Sequence, residues 1–188
     1  MDASERMNML LLDLLEFTKV TSAGMRLEPV DLNQVISEVS SDLEILIEQT
    51  GGSVEIEGTL PILLADKLQM HQLFQNLIGN SLKFHKEGEP PLIQISCLLT
   101  PKENWEIKLR DNGIGFDIKY LNRILRPFQR LHSREKFKGS GMGLAICQKI
   151  ILRHGGTLTA ISSHEQGSTF IIILPDKQPA KEESESLY

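Results

Sequence analysis

Cysteine is scarce in this sequence. Cys97 and Cys147 are the only two in 188 residues. They are too few and too far apart for a disulfide framework or a metal site. Both fall in apolar patterns, which predicts two buried free thiols in a reducing compartment. Long apolar runs are missing as well. None approaches transmembrane length, and no signal-peptide pattern opens the chain, so a soluble, cytoplasmic domain with any membrane anchor elsewhere is expected. No internal repeat is found. Positive charge is not in excess: the formal net charge of -5 argues against nucleic acid as the main partner. Hydrophobic residues make up 40%, enough for the core of one domain plus a small accessory segment.

The pattern along the chain predicts an α+β fold, with helices segregated onto one face of a mixed, mostly antiparallel sheet. Ser4 to Val20 reads as a helix. Met7, Leu11, Leu14 and Thr18 repeat at spacings of four and three, with Leu10 and Phe17 beside them. A stripe that broad suits packing against another helix, although an ordinary amphipathic helix folded onto its own domain has the same signature. Thr21 to Pro29 reads as a linker. Asp31 with Gln34 matches a capping box, with Val30 as a staple, and predicts a helix ending near Gly51 and Gly52. Strands are predicted at Val54–Glu57 and Ile62–Leu64. Asp66 with Gln69 then opens a long helix to about His85.

Beyond Pro90 and Pro91 the period becomes two. Leu92–Leu99 and Trp105–Leu109 are predicted antiparallel strands. Asp111 to Gly143 is punctuated by glycine, with a short helix near Ile118–Leu125. Seven of the 20 Lys and Arg lie between Lys119 and Lys138. A helix over Leu144–His154 and a hairpin of Thr157–Ser163 with Ser168–Leu174 complete the pattern. The tail from Lys181 to Tyr188 is acidic, which predicts disorder.

Three segments can carry chemistry. Asn76, Asn80 and Lys83 are spaced by four and three and share one helix face. Amide oxygens suit the hard cation Mg²⁺, and Lys83 offers a point charge to phosphate. The same asparagines could also satisfy backbone groups or face solvent. Asp111-Asn112-Gly113-Ile114-Gly115 follows a strand. Its carboxylate can accept from an exocyclic amine such as that of adenine, yet Asp-Asn-Gly is also strong turn chemistry. Gly139-Ser140-Gly141-Met142-Gly143-Leu144 runs into a helix, a ready place for phosphate, but it is neither a dinucleotide fingerprint nor a P-loop.

In this order, "LFQNLIGNSLKF", "DNGIGF", "RPFQRLHS", "GSGMGLAI" and "GSTFIIILP" resemble the N box, first glycine box, F box, second glycine box and last glycine motif of the histidine kinase, gyrase, chaperone and MutL ATPase superfamily. Within it the chain is similar to PAS- or phytochrome-linked sensor kinases. The resemblance covers Val30 to about Pro175. It implies a two-layer α/β sandwich of the Bergerat type, preceded by an N-terminal helix. Residues 1–29 would be the second helix of a dimerisation and histidine-phosphotransfer domain with its linker, residues 30–176 the ATP-binding domain, and residues 177–188 the disordered tail.

The resemblance implies ATP and Mg²⁺ as ligands. Asn80 would be the main Mg²⁺ ligand with Asn76 beside it, Lys83 would meet phosphate, and Phe84 would lie by the base. Asp111 would read the adenine amine, with Gly113, Ile114 and Gly115 around the ring. Gly139, Ser140, Gly141, Met142, Gly143 and Leu144 would line the phosphate side, and Phe128 and Thr169 belong to the same boxes. Residues Phe116 to Ser140 would form a lid over ATP. Arg130 would reach the γ-phosphate. Gyrase- and chaperone-type relatives carry a water-activating Glu where this chain has Asn76, and an amide cannot be a general base. Transfer rather than hydrolysis is therefore expected, to a histidine outside this chain. The implied partners are that histidine-bearing helix, a response regulator receiver domain and, for the whole kinase, a second copy. A nucleotide-regulated interaction module is the alternative. His71, His85, His132, His154 and His164 lack the acceptor context, so each is expected to serve as a surface or capping residue and the chain alone to be inactive in autophosphorylation. Arg126 stands where the family commonly has Glu before the F-box Pro.

Overall fold

Asp31 ends one strand and caps the first buried helix. Its Oδ1 accepts from the Asn33 amide at 2.8 Å, supplying one of the partners that a helix start lacks. The Gln34 side chain turns to Glu38 instead of closing the predicted box. In the computed structural model of the protein, residues 3–22, 24–131, 137 and 139–176 are described. The predicted tail and part of the predicted lid therefore lie outside the described residues.

Helix α1 (Ala3–Ser22) is followed by strand β1 (Glu28–Asp31), helices α2 (Leu32–Asp42) and α3 (Glu44–Thr50), strands β2 (Ser53–Glu57) and β3 (Ile62–Ala65), and helix α4 (Lys67–Lys83). Strands β4 (Leu92–Leu99) and β5 (Asn104–Asp111), a 3-10 turn at Ile118–Tyr120, helices α5 (Leu121–Ile124) and α6 (Gly143–Arg153), and strands β6 (Thr157–Ser162) and β7 (Ser168–Pro175) complete the order. Among the described residues no helix is long and apolar enough to cross a membrane.

Two expectations are corrected. The single helix predicted from Asp31 to Gly51 is two, because the chain turns at Leu43 (φ -99°, ψ 6°). Just before the break the Ser40 hydroxyl donates to the Ile36 carbonyl at 2.8 Å, a back-bond that bends helices. Leu32, Val35, Ile36 and Val39 are buried in α2, whereas α3 buries no residue fully. The predicted linker ends early: Glu28–Asp31 is a strand paired antiparallel with β3 in a separate two-stranded sheet. Pro29 is tolerated there because a two-stranded ribbon has free edges.

The main sheet has the order β2-β4-β5-β7-β6. Only β2 with β4 is parallel, so the sheet is mixed and mostly antiparallel, as expected. Helices cover one face. Met70, Leu73, Phe74, Leu77, Ile78 and Leu82 of α4 and Ile146, Cys147, Ile150 and Ile151 of α6 are buried against Ile93, Ile95, Ile107, Leu109, Phe170, Ile172 and Leu174 of the strands. Each such side chain contributes about 1.5–3 kcal/mol through its removal from water. Cys147 is fully buried, and burial pushes its thiol well above the ordinary value. Cys97 is only partly covered, so the expectation of two buried thiols holds for one.

Among the described side chains of helix α1, Met7, Leu11, Leu12, Leu14 and Leu15 are exposed, and Phe17 and Val20 join the core. Its far end rests against α6.

Candidate nucleotide-binding site

A cavity of about 360 Å³ opens between α4, the end of β5, the start of β7 and the start of α6. The regular spacing of α4 delivers Asn76, Asn80 and Lys83 to it, as the sequence pattern required. Asp111, Ile114 and Gly115 line it from the first glycine box. Gly139, Ser140, Gly141, Gly143 and Leu144 line it from the second, and Phe84 and Arg130 complete the predicted set that meets there.

Four predicted residues do not line it: Gly113, Phe128, Met142 and Thr169. Gly113 acts through its amide, which donates to Asp111 Oδ1 at 2.9 Å. Met142 is buried in the core, and Phe128 is half exposed at a left-handed φ of 61°. Thr169 lies between Ser168 and Phe170, which do line the cavity, so strand alternation turns it to the other face.

Asp111 is 7% exposed. Its Oδ1 accepts from the Gly113 and Ser168 amides at 2.9 and 3.1 Å, while Oδ2 takes only a long 3.4 Å bond from the Ser81 hydroxyl. Burial raises its carboxyl above the ordinary value, and those donors pull it part of the way back. A carboxylate with one oxygen anchored and the other nearly unmatched is suited to accept from a ligand amine. The neighbouring Asn112 is structural: Oδ1 accepts from the Leu92 amide and Nδ2 donates to the Pro90 carbonyl. The Ile114 amide donates to the Phe84 carbonyl at 2.9 Å, which locks the first glycine box to the end of α4.

Close approaches within the protein bear on two glycines at the cavity. At Gly115 (φ 59°) a Cβ would lie 2.1 Å from the Ser163 carbonyl oxygen. At Gly143 it would lie 2.9 Å from Asn76 Oδ1, so the bare backbone at the start of α6 is what lets the Asn76 amide sit there.

Lys83 is half buried. Burial, and then the positive charge of Arg130, hold its ammonium below the ordinary lysine value. Its Nζ lies 4.6 Å from the centre of the Phe84 ring. The Phe84 ring, which lines the cavity, packs at 4.8 Å and 54° on that of Phe137. The Arg130 guanidinium donates to the Gly139 and Phe137 carbonyls and thereby joins the F box to the second glycine box. No group of three or more His, Cys, Asp or Glu that could hold a metal exists among the described residues. A cation in this cavity would be met by amide oxygens of Asn80 and Asn76 and by ligand oxygens, a donor set that fits Mg²⁺.

The lining residues that sequence reasoning did not name as site residues are Ser81, Phe116, Ser168, Phe170, Ile124 and Ile146, with Gln129 and Leu131. The period-two pattern would have put Ser168 and Phe170 on one face. Ser81 carried no signal beyond standing next to Asn80. Of the five histidines, His71 meets Asp42 at 3.1 Å, His85 meets the Lys86 carbonyl, and His164 lies by Glu165. His132 lies outside the described residues. His154 takes the capping alternative and not the surface one: it is the C-cap of α6 and is fully buried.

Residues 65–178 match the family described as histidine kinase-, DNA gyrase B- and HSP90-like ATPase. The phytochrome-like protein Cph1 of Synechocystis is 39% identical over 170 residues, which is 90% of this chain and 22% of that protein. This chain thus spans about a fifth of that relative. The solved catalytic domain of histidine kinase ThkA, in a nucleotide-free form, is similar with a TM-score of 0.66 at 26% identity, covering 81% of this chain and 97% of that one. Full-length ShkA in complex with AMPPNP shares the fold at a TM-score of 0.76 and 24% identity, covering 91% and 36%. With the Asp111 pocket, the Asn76–Asn80–Lys83 face and these similarities together, the chain belongs to the histidine kinase-, DNA gyrase B- and HSP90-like ATPase family and within it is similar to sensor histidine kinases.

Proposed function

We propose that this chain is the catalytic part of a two-component sensor histidine kinase. It binds Mg·ATP and passes the γ-phosphoryl group to a histidine supplied by another part of the kinase, for relay to a response regulator, with ADP left behind. The observation that carries this reading is the convergence on one cavity of a buried carboxylate, Asp111, and a polar helix face, Asn76, Asn80 and Lys83. Asp111 Oδ2 would accept from the adenine amine. Asn80, assisted by Asn76, would hold Mg²⁺, which supplies charge neutralisation on phosphate oxygens. Lys83 would meet the phosphates from beneath the glycine-rich segment.

Arg130 would act on the transferring group and, through its two carbonyl contacts, hold the lid ends together. Transfer depends mostly on positioning and charge stabilisation, so these fixed donors suffice without a base on this chain. Asn76 stands where hydrolytic relatives need a carboxylate, which favours transfer over attack by water.

The test is radiolabelled ATP offered to the chain alone and with a separate histidine-bearing helix of the same kinase. The expected result is acid-labile label on the helix only. Label on the isolated chain, or steady phosphate release, would overturn the assignment. ATP binding with no transfer to the supplied helix would favour a nucleotide-regulated interaction module.

A further inference from the structure

His154 is a fully buried polar side chain that the ATP chemistry does not use. It caps the end of α6. Its Nδ1 contacts the Ile150 carbonyl at 2.8 Å, and its Nε2 lies 3.1 Å from the Asp66 amide. A carbonyl only accepts and an amide N–H only donates. Nδ1 therefore carries the proton and Nε2 is bare, the neutral tautomer. Burial, the largest influence, lowers the imidazole's pKa in the same sense.

Asp66 is the N-cap of α4. Its Oδ1 accepts from the Gln69 amide at 3.1 Å. Its Oδ2 accepts from the Arg26 amide at 3.1 Å and from the Gln69 side-chain amide at 3.3 Å. Arg26 belongs to the short stretch between α1 and β1. Three pieces therefore meet at one carboxylate and one imidazole: the linker after α1, the start of α4 and the end of α6.

The two helices lead from this junction to the cavity. Helix α4 starts at Asp66 and carries Asn80 about 20 Å further on, at roughly 1.5 Å per residue. Helix α6 starts at the cavity with Gly143 and ends at His154. Helix α1 contacts α6, Phe17 and Val20 join the core, and Met7, Leu11, Leu12, Leu14 and Leu15 are exposed. The linker that follows α1 is therefore tied at this junction to the start of α4 and the end of α6.

We propose that Asp66 and His154 form a clamp that fixes the linker on the feet of the two pocket helices. They are positioning residues, which hold bound ATP in a set orientation to α1 and whatever α1 packs against. The link to phosphoryl transfer rests on the function proposed above. The clamp itself is a property of the fold.

Asp66→Asn separates the two jobs of the carboxylate. Asparagine still caps α4, because its oxygen accepts from the Gln69 amide. Its NH₂ cannot accept from Arg26. His154→Phe removes the acceptor for the Asp66 amide, and His154→Gln restores one. Amide hydrogen exchange on the 188-residue chain should show the Arg26 amide exchanging roughly tenfold faster in Asp66→Asn and the Asp66 amide roughly tenfold faster in His154→Phe, each the loss of one hydrogen bond to a charged or buried group. Residual dipolar couplings should fit one alignment tensor for α1 and the domain in the parent and His154→Gln, and two in the released variants. With the histidine-bearing helix supplied, kcat for phosphohistidine formation should fall while KM for ATP holds.

Unchanged Arg26 protection in Asp66→Asn overturns the clamp. So does loss of protection along the whole of α4, since Asp66 would then be a helix cap and nothing more. An unchanged kcat overturns the positioning role. If the parent chain binds no ATP, the proposed function fails, and the exchange and alignment data still decide the clamp.

Discussion

Asn76 and Gly143 approach so closely that a methyl group on Gly143 would stand 2.9 Å from Asn76 Oδ1. The contact joins the polar face of α4 to the first residue of α6, two segments nearly 70 positions apart. A substitution at Gly143 therefore tests the placement of the Asn76 amide without replacing that residue. Gly143→Ala should push Asn76 aside and weaken Mg·ATP binding roughly tenfold, a loss of about 1.4 kcal/mol, within the usual cost of forcing a methyl into a packed site. Titration calorimetry with and without Mg²⁺ reads this. Equal affinities would mean that Asn76 can move freely.

Asn80→Ala should abolish the Mg²⁺ dependence of nucleotide binding, because a hard cation needs the amide oxygen. Asn76→Ala should reduce that dependence without removing it. Binding titrations across Mg²⁺ concentrations compare the two, and undiminished dependence in Asn80→Ala would displace the metal from this face.

Asp111→Asn should weaken ATP binding by roughly tenfold or more, because a hydrogen bond to a charged group is lost. In the parent, affinity should fall as the pH drops through the raised pKa of Asp111, and the variant should show no such step. Stability runs the other way. A folded-state carboxyl pKa above its unfolded value means that the folded chain binds more protons between the two values. Its contribution is then favourable at low pH and is lost as the pH rises through that interval. Asp111→Asn, which keeps an oxygen for the Gly113 and Ser168 amides, should be as stable as the parent or more so at neutral pH. Denaturant melts at several pH values check the sign.

Helix α1 exposes Leu11, Leu12, Leu14 and Leu15 at 42–65% of their surfaces. One helix with such a stripe should self-associate weakly, since a four-helix bundle buries the same stripe far better. Sedimentation over a concentration series should show association that rises with concentration and disappears in a Leu11→Glu, Leu15→Glu double variant. A tight dimer at all concentrations would show that this helix suffices alone.

Local sequence determined the elements whose physics is local. The spacing of Asn76, Asn80 and Lys83 places them on one face of any helix, and Asp66 caps α4 because its carboxylate meets an amide three residues away. Alternation from Leu92 to Leu99 specified a strand, and glycine before a helix specified an anion-tolerant turn. Tertiary structure decided everything that depends on a distant partner. Glu28–Asp31 becomes a strand only because β3 runs beside it, and the helix after Asp31 breaks at Leu43 only where burial gives out. Thr169 yields its place at the cavity to Ser168 and Phe170 because the pairing of β7 with β5 sets which face looks inward. His154 reads as a polar helix end in the sequence, and folding buries it because the Asp66 amide, 88 positions away, needs an acceptor there. A hydrogen bond across that separation leaves no periodicity or composition behind, so only the folded chain reveals it.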